Sequence, residues 1–496
     1  MRFVLSCALG CALALSAGAA QAAKANAKAS PQTACNGTFS NGVAIAVGQA
    51  AYMPDVGYID KTTPAIGASA QTSCDVFTFA WNQFLYWTQS APGTTAARFM
   101  TMAPWYNALT TGAKPGAYPG GSTALQTAYL DLGQAGDQDE LLDVAGNPVA
   151  YDIRFDVNMY NSIVLQNLYT QNNYNAACQP NPSVCNNQNI WMTPAGANER
   201  PEPGSTEVKT AWRDYLTPQA CPSSQYFCQG RFALIGFHFV NKTFSHGEWI
   251  WASFEHVANA PDCAPGGDTP IAQQSPLGTS WSFFNPSAVP PGVMSSKTCS
   301  VTANPQCNAN PNPSGDGSTW VKINVCRTDA IAAGGASAAN CNPATPNNTA
   351  GNVACLNATI MPKLSGVWKN YKLVGAVWTQ GGMGPNQDFR IQVFQQQVQG
   401  LPYPAPSGFV HLANTVVETW MQKGSTGYDP FGTNATTAGC FSCHHEPASA
   451  TQVDLSHFPG KLPAATLHAL RSSLIPANST AKPRNLVRAP RIKASH

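Results

Sequence analysis

Five residues near the carboxyl end, Cys440-Phe441-Ser442-Cys443-His444, constrain this chain more than any other stretch. The order C-x-x-C-H sets two thiols about one turn apart, with an imidazole directly after them. That arrangement lets both thiols add across the two vinyl groups of one porphyrin. It also brings the imidazole of His444 under the iron as proximal ligand. An iron-bound imidazole stays neutral, its second ring nitrogen held by a carbonyl or carboxylate. Two plainer uses of the motif compete. A zinc site needs a second ligand pair at matched spacing; His445 and His457 are near, but no second C-x-x-C occurs in the chain. The other is a small disulfide loop with an adjacent histidine. The motif predicts one covalent haem c held by Cys440, Cys443 and His444.

Covalent haem attachment takes place outside the bacterial cytoplasm, so an export signal is expected. Arg2 supplies a short positive start, Phe3 to Ala20 is apolar, and Ala20-Gln21-Ala22 fits a small-residue cleavage site. Residues 1–22 therefore read as a signal peptide, with a run too short and too small in its side chains for a membrane span. The mature chain is expected to be periplasmic or secreted, without a transmembrane segment. Cysteine usage agrees. Of the sixteen cysteines, Cys7 and Cys11 leave with the leader and Cys440 and Cys443 take the haem. The even number left in an oxidising compartment reads as a disulfide set. Short loops suggest Cys178 with Cys185 and Cys221 with Cys228.

Only 10% of the residues are charged and the formal net charge is +2. Such a chain lacks the basic surface that nucleic acid requires. Its 10% aromatic content is ample for a large core, so the chain is not a disordered one.

Along the chain, Asp75 to Gln89 carries Val76, Phe79, Ala80, Phe84 and Trp87 at helical spacing, with Ser73 or Asp75 as N-cap. The stripe reads as core packing. Residues 90–148 read as long loops. Ala150 to Val157 alternates apolar and charged residues and predicts a half-buried strand, followed by a helix Met159 to Tyr169 capped by Asn158. Residues 171–204 read as a loop, and Ser205 to Leu216 as a short strand passing into a helical turn. Phe232 to Val240, Val321 to Val325, Lys372 to Trp378 and Phe389 to Phe394 read as strands. Residues 331–352 are rich in Ala, Asn and Gly and predict an exposed insertion. Pro402, Pro404 and Pro406 mark a boundary. His411 to Gln422 has helical spacing and leads toward the haem motif. Beyond Leu455 there are seven Lys and Arg and no acidic residue, which predicts a solvated basic tail.

These readings combine into an α+β, β-rich fold: antiparallel sheets with a few helices and long disulfide-tied loops, plus a small helical haem segment. The expected divisions are a body over 23–405, a haem segment over 406–470 and a flexible tail over 471–496.

Several stretches together resemble one bacterial group. They are Ala80-Trp81 with Phe84; Glu207-Val208-Lys209 with Ala211-Trp212-Arg213; and Gly236-Phe237-His238 through Lys242-Thr243 to Trp249-Ile250-Trp251 and Phe254-Glu255-His256-Val257. Asn370 to Gly375, Leu412-Ala413-Asn414-Thr415 with Glu418-Thr419, and the haem motif complete the set. Over about residues 75 to 450 the chain is similar to the large bacterial "cytochrome c family" proteins, which carry a long amino-terminal region and a single haem motif near the carboxyl end. The resemblance implies Cys440, Cys443 and His444 as haem residues and implies nothing catalytic.

A small carrier cytochrome supplies an axial Met downstream of its motif, and here no Met follows Met421. The sixth iron ligand is therefore upstream (Met421, His411, His256, His246 or His238), a nearby residue such as His457, or absent. A six-coordinate iron implies electron transfer, with the body docking a redox protein or a small-molecule electron donor or acceptor. An open iron face implies a haem-dependent redox enzyme, peroxidase- or oxygenase-like, with His238, His256 or Glu255 as acid or base. Electron transfer is the leading expectation. The dense run from His238 to His256 also reads as a buried hairpin with satisfied polar side chains. No phosphate-binding glycine loop, H-E-x-x-H or G-x-S-x-G motif occurs.

Overall fold

The computed structural model describes residues 35–39, 44, 45, 47, 72–110, 112–119, 141–165, 167–170, 205–217, 220–241, 250–262, 272, 274–286, 326, 327, 349–379, 406–408 and 414–417. The leader, the strands expected at 321–325 and 389–394, the Cys178–Cys185 pair, the haem motif and the basic tail lie outside these residues.

Eight strands form one sheet: β1 (Ala103–Pro104), β2 (Val149–Phe155), β3 (Thr206–Asp214), β4 (Cys228–Gln229), β5 (Phe232–Asn241), β6 (Ile250–His256), β7 (Tyr371–Thr379) and β8 (Pro406–Gly408). Their order is β1-β2-β3-β5-β6-β7-β8, with β4 added alongside β5. Every pairing in the sheet is antiparallel. Among the described residues the α-helices are α1 (Thr72–Thr88), α2 (Trp105–Ala108), α3 (Val157–Leu165) and α4 (Thr349–Ile360). The described part is thus an antiparallel, β-rich α+β fold, as expected.

The central strands are buried on both faces, which explains where the sequence pattern misleads. β2 alternates apolar with charged residues, yet all seven of its residues are buried. Arg154 Nε donates to Asp152 Oδ2 at 2.5 Å, and its Nη1 donates to the carbonyls of Met100 and Met102 at 2.9 and 3.2 Å. The charged face is thereby neutralised within the core rather than solvated, and the half-buried reading is corrected. β3 likewise stays extended through Asp214 instead of turning helical, since its whole length pairs with β2 or β5.

α1 packs across one face of the sheet. It is buried nearly all round, its polar Asp75, Thr78, Asn82 and Gln83 included, as befits a helix enclosed by its own protein. Val76, Phe79, Ala80, Phe84 and Trp87 are buried as expected, and so are Phe77, Trp81 and Leu85. Trp81 meets Phe254 of β6 edge-to-face at 5.0 Å, Phe84 stacks on Phe254 at 4.6 Å, and Phe77 meets Trp378 of β7 at 5.7 Å. The helix starts at Thr72, so Ser73 and Asp75 lie inside it rather than at its cap. A Cys35–Cys74 disulfide ties its first turn to the chain before it. α4 adds Val353, Leu356 and Ile360 to the same core. Its first turn falls within the low-complexity stretch expected to be an exposed insertion; Asn352 there is buried.

Asp156, not Asn158, caps α3, accepting from the Met159 amide at 2.8 Å, and the helix ends at Leu165 rather than Tyr169. Within the stretch 90–148, a short 3-10 turn at Arg98–Thr101 precedes β1 and α2. The expected Cys221–Cys228 disulfide is present, joining the stretch before β5 to β4, and Cys326 and Cys355 are also disulfide-bonded. Among the described residues no helix is long and apolar enough to cross a membrane.

β8 opens at the first residue of the expected haem segment. Thr379 pairs with Pro406 and Val377 with Gly408, so the first residues assigned to the haem segment form the edge strand of the body's sheet. Proline is tolerated at the start of such a strand. A second packing layer lies on the sheet face opposite α1. It includes Leu141, Tyr151, Ala211, Ile235, Phe283, Val416 and Val417. Ile235 is the extra residue of a β-bulge, skipped where Ala211 pairs with Gly236 and Trp212 with Leu234. The bulge turns both Ile235 and Gly236 toward this layer.

Candidate functional site

Strand alternation divides the side chains of β5 and β6 between the two faces of the sheet. Phe237, Phe239, Ala252 and Phe254 join the α1 core. Gly236, His238, Ser253 and Glu255 face the second layer. The register lines them up across the sheet: Lys209 opposite His238, His238 opposite Ser253, and Gly236 opposite Glu255. Glu207 pairs with Lys209 at 3.3 Å, both side chains nearly or fully enclosed. A buried polar band therefore crosses three central strands, where an apolar face would be the ordinary solution.

Glu255 is the band's hub. Its Oε2 accepts from the Thr415 amide at 3.0 Å and the Thr415 hydroxyl at 2.8 Å. Its Oε1 pairs with Arg327. Arg327 also pairs with Asp262, beside which it forms an isolated parallel bridge. Lys372, the cross-strand neighbour of Glu255, lies with its Nζ 4.0 Å from Asp262 Oδ1. Burial, reinforced by the Arg327 charge and opposed by Asp262, draws the Lys372 ammonium down to about 8. Two carboxylates and two cations balance in a low-dielectric setting, where a lone charge would be strongly unfavourable. Both oxygens of Glu255 are engaged, so it is an acceptor in a fixed network.

His256 is enclosed differently. Its Nδ1 accepts from the Ala258 amide at 3.2 Å, which assigns the proton to Nε2, and Nε2 donates to the Gln225 carbonyl at 3.0 Å. The ring stacks on Tyr226 at 3.9 Å and meets Tyr371 at 5.1 Å. Burial above all, with a smaller push from Arg213, lowers its pKa to about 3, so the imidazole is neutral. Tyr371 fixes the surroundings: its hydroxyl donates to the Leu234 carbonyl at 2.8 Å and accepts from the Phe227 amide at 3.1 Å.

Of the residues singled out in the sequence, His238, Glu255 and His256 are described. Cys440, Cys443, His444, Met421, His411, His246 and His457 lie outside. His238 is buried on the band, whereas His256 has both ring nitrogens committed to backbone. Sequence reasoning missed Arg327, Asp262 and Lys372 as partners of Glu255, because they come together only through the fold. Asn414 and Thr415 stood in a recognisable run but carried no role. Among the described residues no group of three or more His, Cys, Asp or Glu is arranged to hold a metal ion. Comparison with protein-family models, with curated proteins and with solved structures gives no match.

Proposed function

We propose that this is a periplasmic or secreted monohaem c-type protein acting in electron transfer, whose β-rich body carries the haem segment and docks a redox partner. The observation that carries the reading is the Cys440-x-x-Cys443-His444 sequence. The donor set fits haem c: two thiols for covalent attachment and one imidazole for the iron. When bound, haem supplies a one-electron iron couple whose potential follows from axial ligation and burial. The Cys35–Cys74 and Cys221–Cys228 disulfides suit the oxidising compartment in which such attachment occurs.

The body narrows the upstream ligand candidates. His256 keeps a neutral ring with both nitrogens spent on backbone, which assigns it a structural role. His238 is on the face that receives residues 414–417 and stays among the upstream candidates with Met421, His411 and His246. Glu255, held by Arg327 and Thr415, is a structural acceptor in this reading, and an acid–base role has no free oxygen to serve it.

The test is an optical spectrum of protein made in a host with cytochrome c maturation, recorded oxidised, reduced, and reduced with carbon monoxide. Haem bands insensitive to carbon monoxide are expected. Bands that shift would replace electron transfer by the open-site redox enzyme, and absence of haem bands would overturn the haem reading itself. Cys440→Ala should lose haem retained after denaturation.

A further inference from the structure

We propose that Asn414, Thr415 and Val416 anchor the haem-bearing segment on the body's sheet and so position the iron site. The positioning half rests on the haem reading above; the anchor rests on contacts within the described residues. Asn414 is a four-way junction. Its Nδ2 donates to Ser253 Oγ at 2.7 Å and to the Phe254 carbonyl at 3.1 Å, both on β6. Its Oδ1 accepts from the amides of Val416 and Val417 at 2.9 and 3.2 Å, closing the turn. Thr415 gives both its amide and its hydroxyl to Glu255. Tyr151 on β2 donates its hydroxyl to the Val416 carbonyl at 2.7 Å.

The sheet is shaped to receive this turn. A Cβ built on Gly236 would lie 2.6 Å from Val416 Cγ2 and 3.3 Å from Val417 Cγ2, so only glycine admits the two valines at that depth. All four residues from Asn414 to Val417 are buried. Strands β2, β5 and β6, far apart in sequence from residue 414, each contribute a contact. A tether that merely led away from the body would need none of them. Twenty-two residues separate Val417 from Cys440, so the turn is where the body takes hold of the chain that bears the motif.

The test uses the full-length matured protein and four forms: wild type, Asn414→Ala, Thr415→Val and Thr415→Ser. Two quantities are read: the rate of tryptic cleavage after Lys423, which needs no haem, and the reduction potential of the haem, which follows its ligation and burial. Far-ultraviolet circular dichroism reports the sheet. Cleavage should rise about tenfold in Asn414→Ala, as expected when buried hydrogen bonds hold a segment closed. Thr415→Val should be intermediate and Thr415→Ser close to wild type, with the potential shifting in the same order while the sheet signal stays intact. Unchanged cleavage and potential in both Asn414→Ala and Thr415→Val would overturn the proposal. Faster cleavage with an unchanged potential would overturn its positioning half. If Asn414→Ala does not accumulate, the Thr415 pair decides. If wild type retains no haem, the haem reading fails, and cleavage after Lys423 alone decides the anchor.

Discussion

Two buried side chains give this protein opposed responses to pH. Asp156, at the head of α3, accepts from backbone amides, but its Oδ2 is buried without a hydrogen-bond partner. Burial outweighs those amides and raises its pKa from 3.8 to about 7. The folded protein therefore binds the extra proton across that range. The stability this lends is full below about pH 4 and is lost as pH rises through about 7. His256 behaves in the reverse sense. Its folded value near 3 lies below the ordinary 6.5, so its contribution is full above 6.5 and is lost as pH falls through about 3. Between the two, the slopes cancel in part. Each ideal slope is at most about 1.4 kcal/mol per pH unit. Urea unfolding at pH 4.5, 6 and 7.5 should show Asp156→Asn losing less stability than wild type toward alkaline pH. His256→Gln should lose less toward acid. Curves parallel to wild type would refute both assignments.

At the scale of elements, burial on both faces sets the energetics. Trp81 is fully buried between α1 and β6. Trp81→Ala should cost about 3–5 kcal/mol in chemical unfolding. Arg154→Met should cost a similar amount, about 3–5 kcal/mol, because Asp152 would be left as an uncompensated buried charge. A loss below 1 kcal/mol in either case would contradict the packing described. The same double burial decides what could be read from the residues. Period-3.6 and period-2 patterns revealed α1, β2, β5 and β7, since apolar runs mark any enclosed element. They could not reveal that the charged face of β2 is enclosed, because an Asp–Arg pair two residues apart reads identically on a wet surface and in a core. Local pattern points to Asn158 as the cap of α3, and the backbone path out of β2 gives that place to Asp156 instead. Glu255 was visible as an unusual carboxylate within an aromatic strand. Its partners Arg327 and Thr415 stand 72 and 160 residues away, and no local pattern spans such distances. β8 was hidden by its proline and the two just before it, which signal a break in the interior of a sheet but not at its edge.

Across the whole molecule, covalent links reinforce the sheet unequally. The Cys35–Cys74 bond spans 39 residues and Cys221–Cys228 spans 7. On loop closure alone the longer link should contribute roughly 1.5 kcal/mol more. Replacing Cys35 and Cys74 together by Ser should thus lower the melting temperature more than replacing Cys221 and Cys228. The reverse order would show that the short link guards the sheet locally. The strand order has a further consequence. Because the main strands follow one another in the order of the chain, successive main strands are neighbours in the sheet. Lengthening a connection then leaves every pairing in place, and each doubling costs only about 0.6 kcal/mol in closure entropy. A sheet wired this way is evolvable at its connections: relatives can gain or lose whole loops, and an engineer can insert a tag or domain between two strands, without rewriting the register that holds residue 414 against β6.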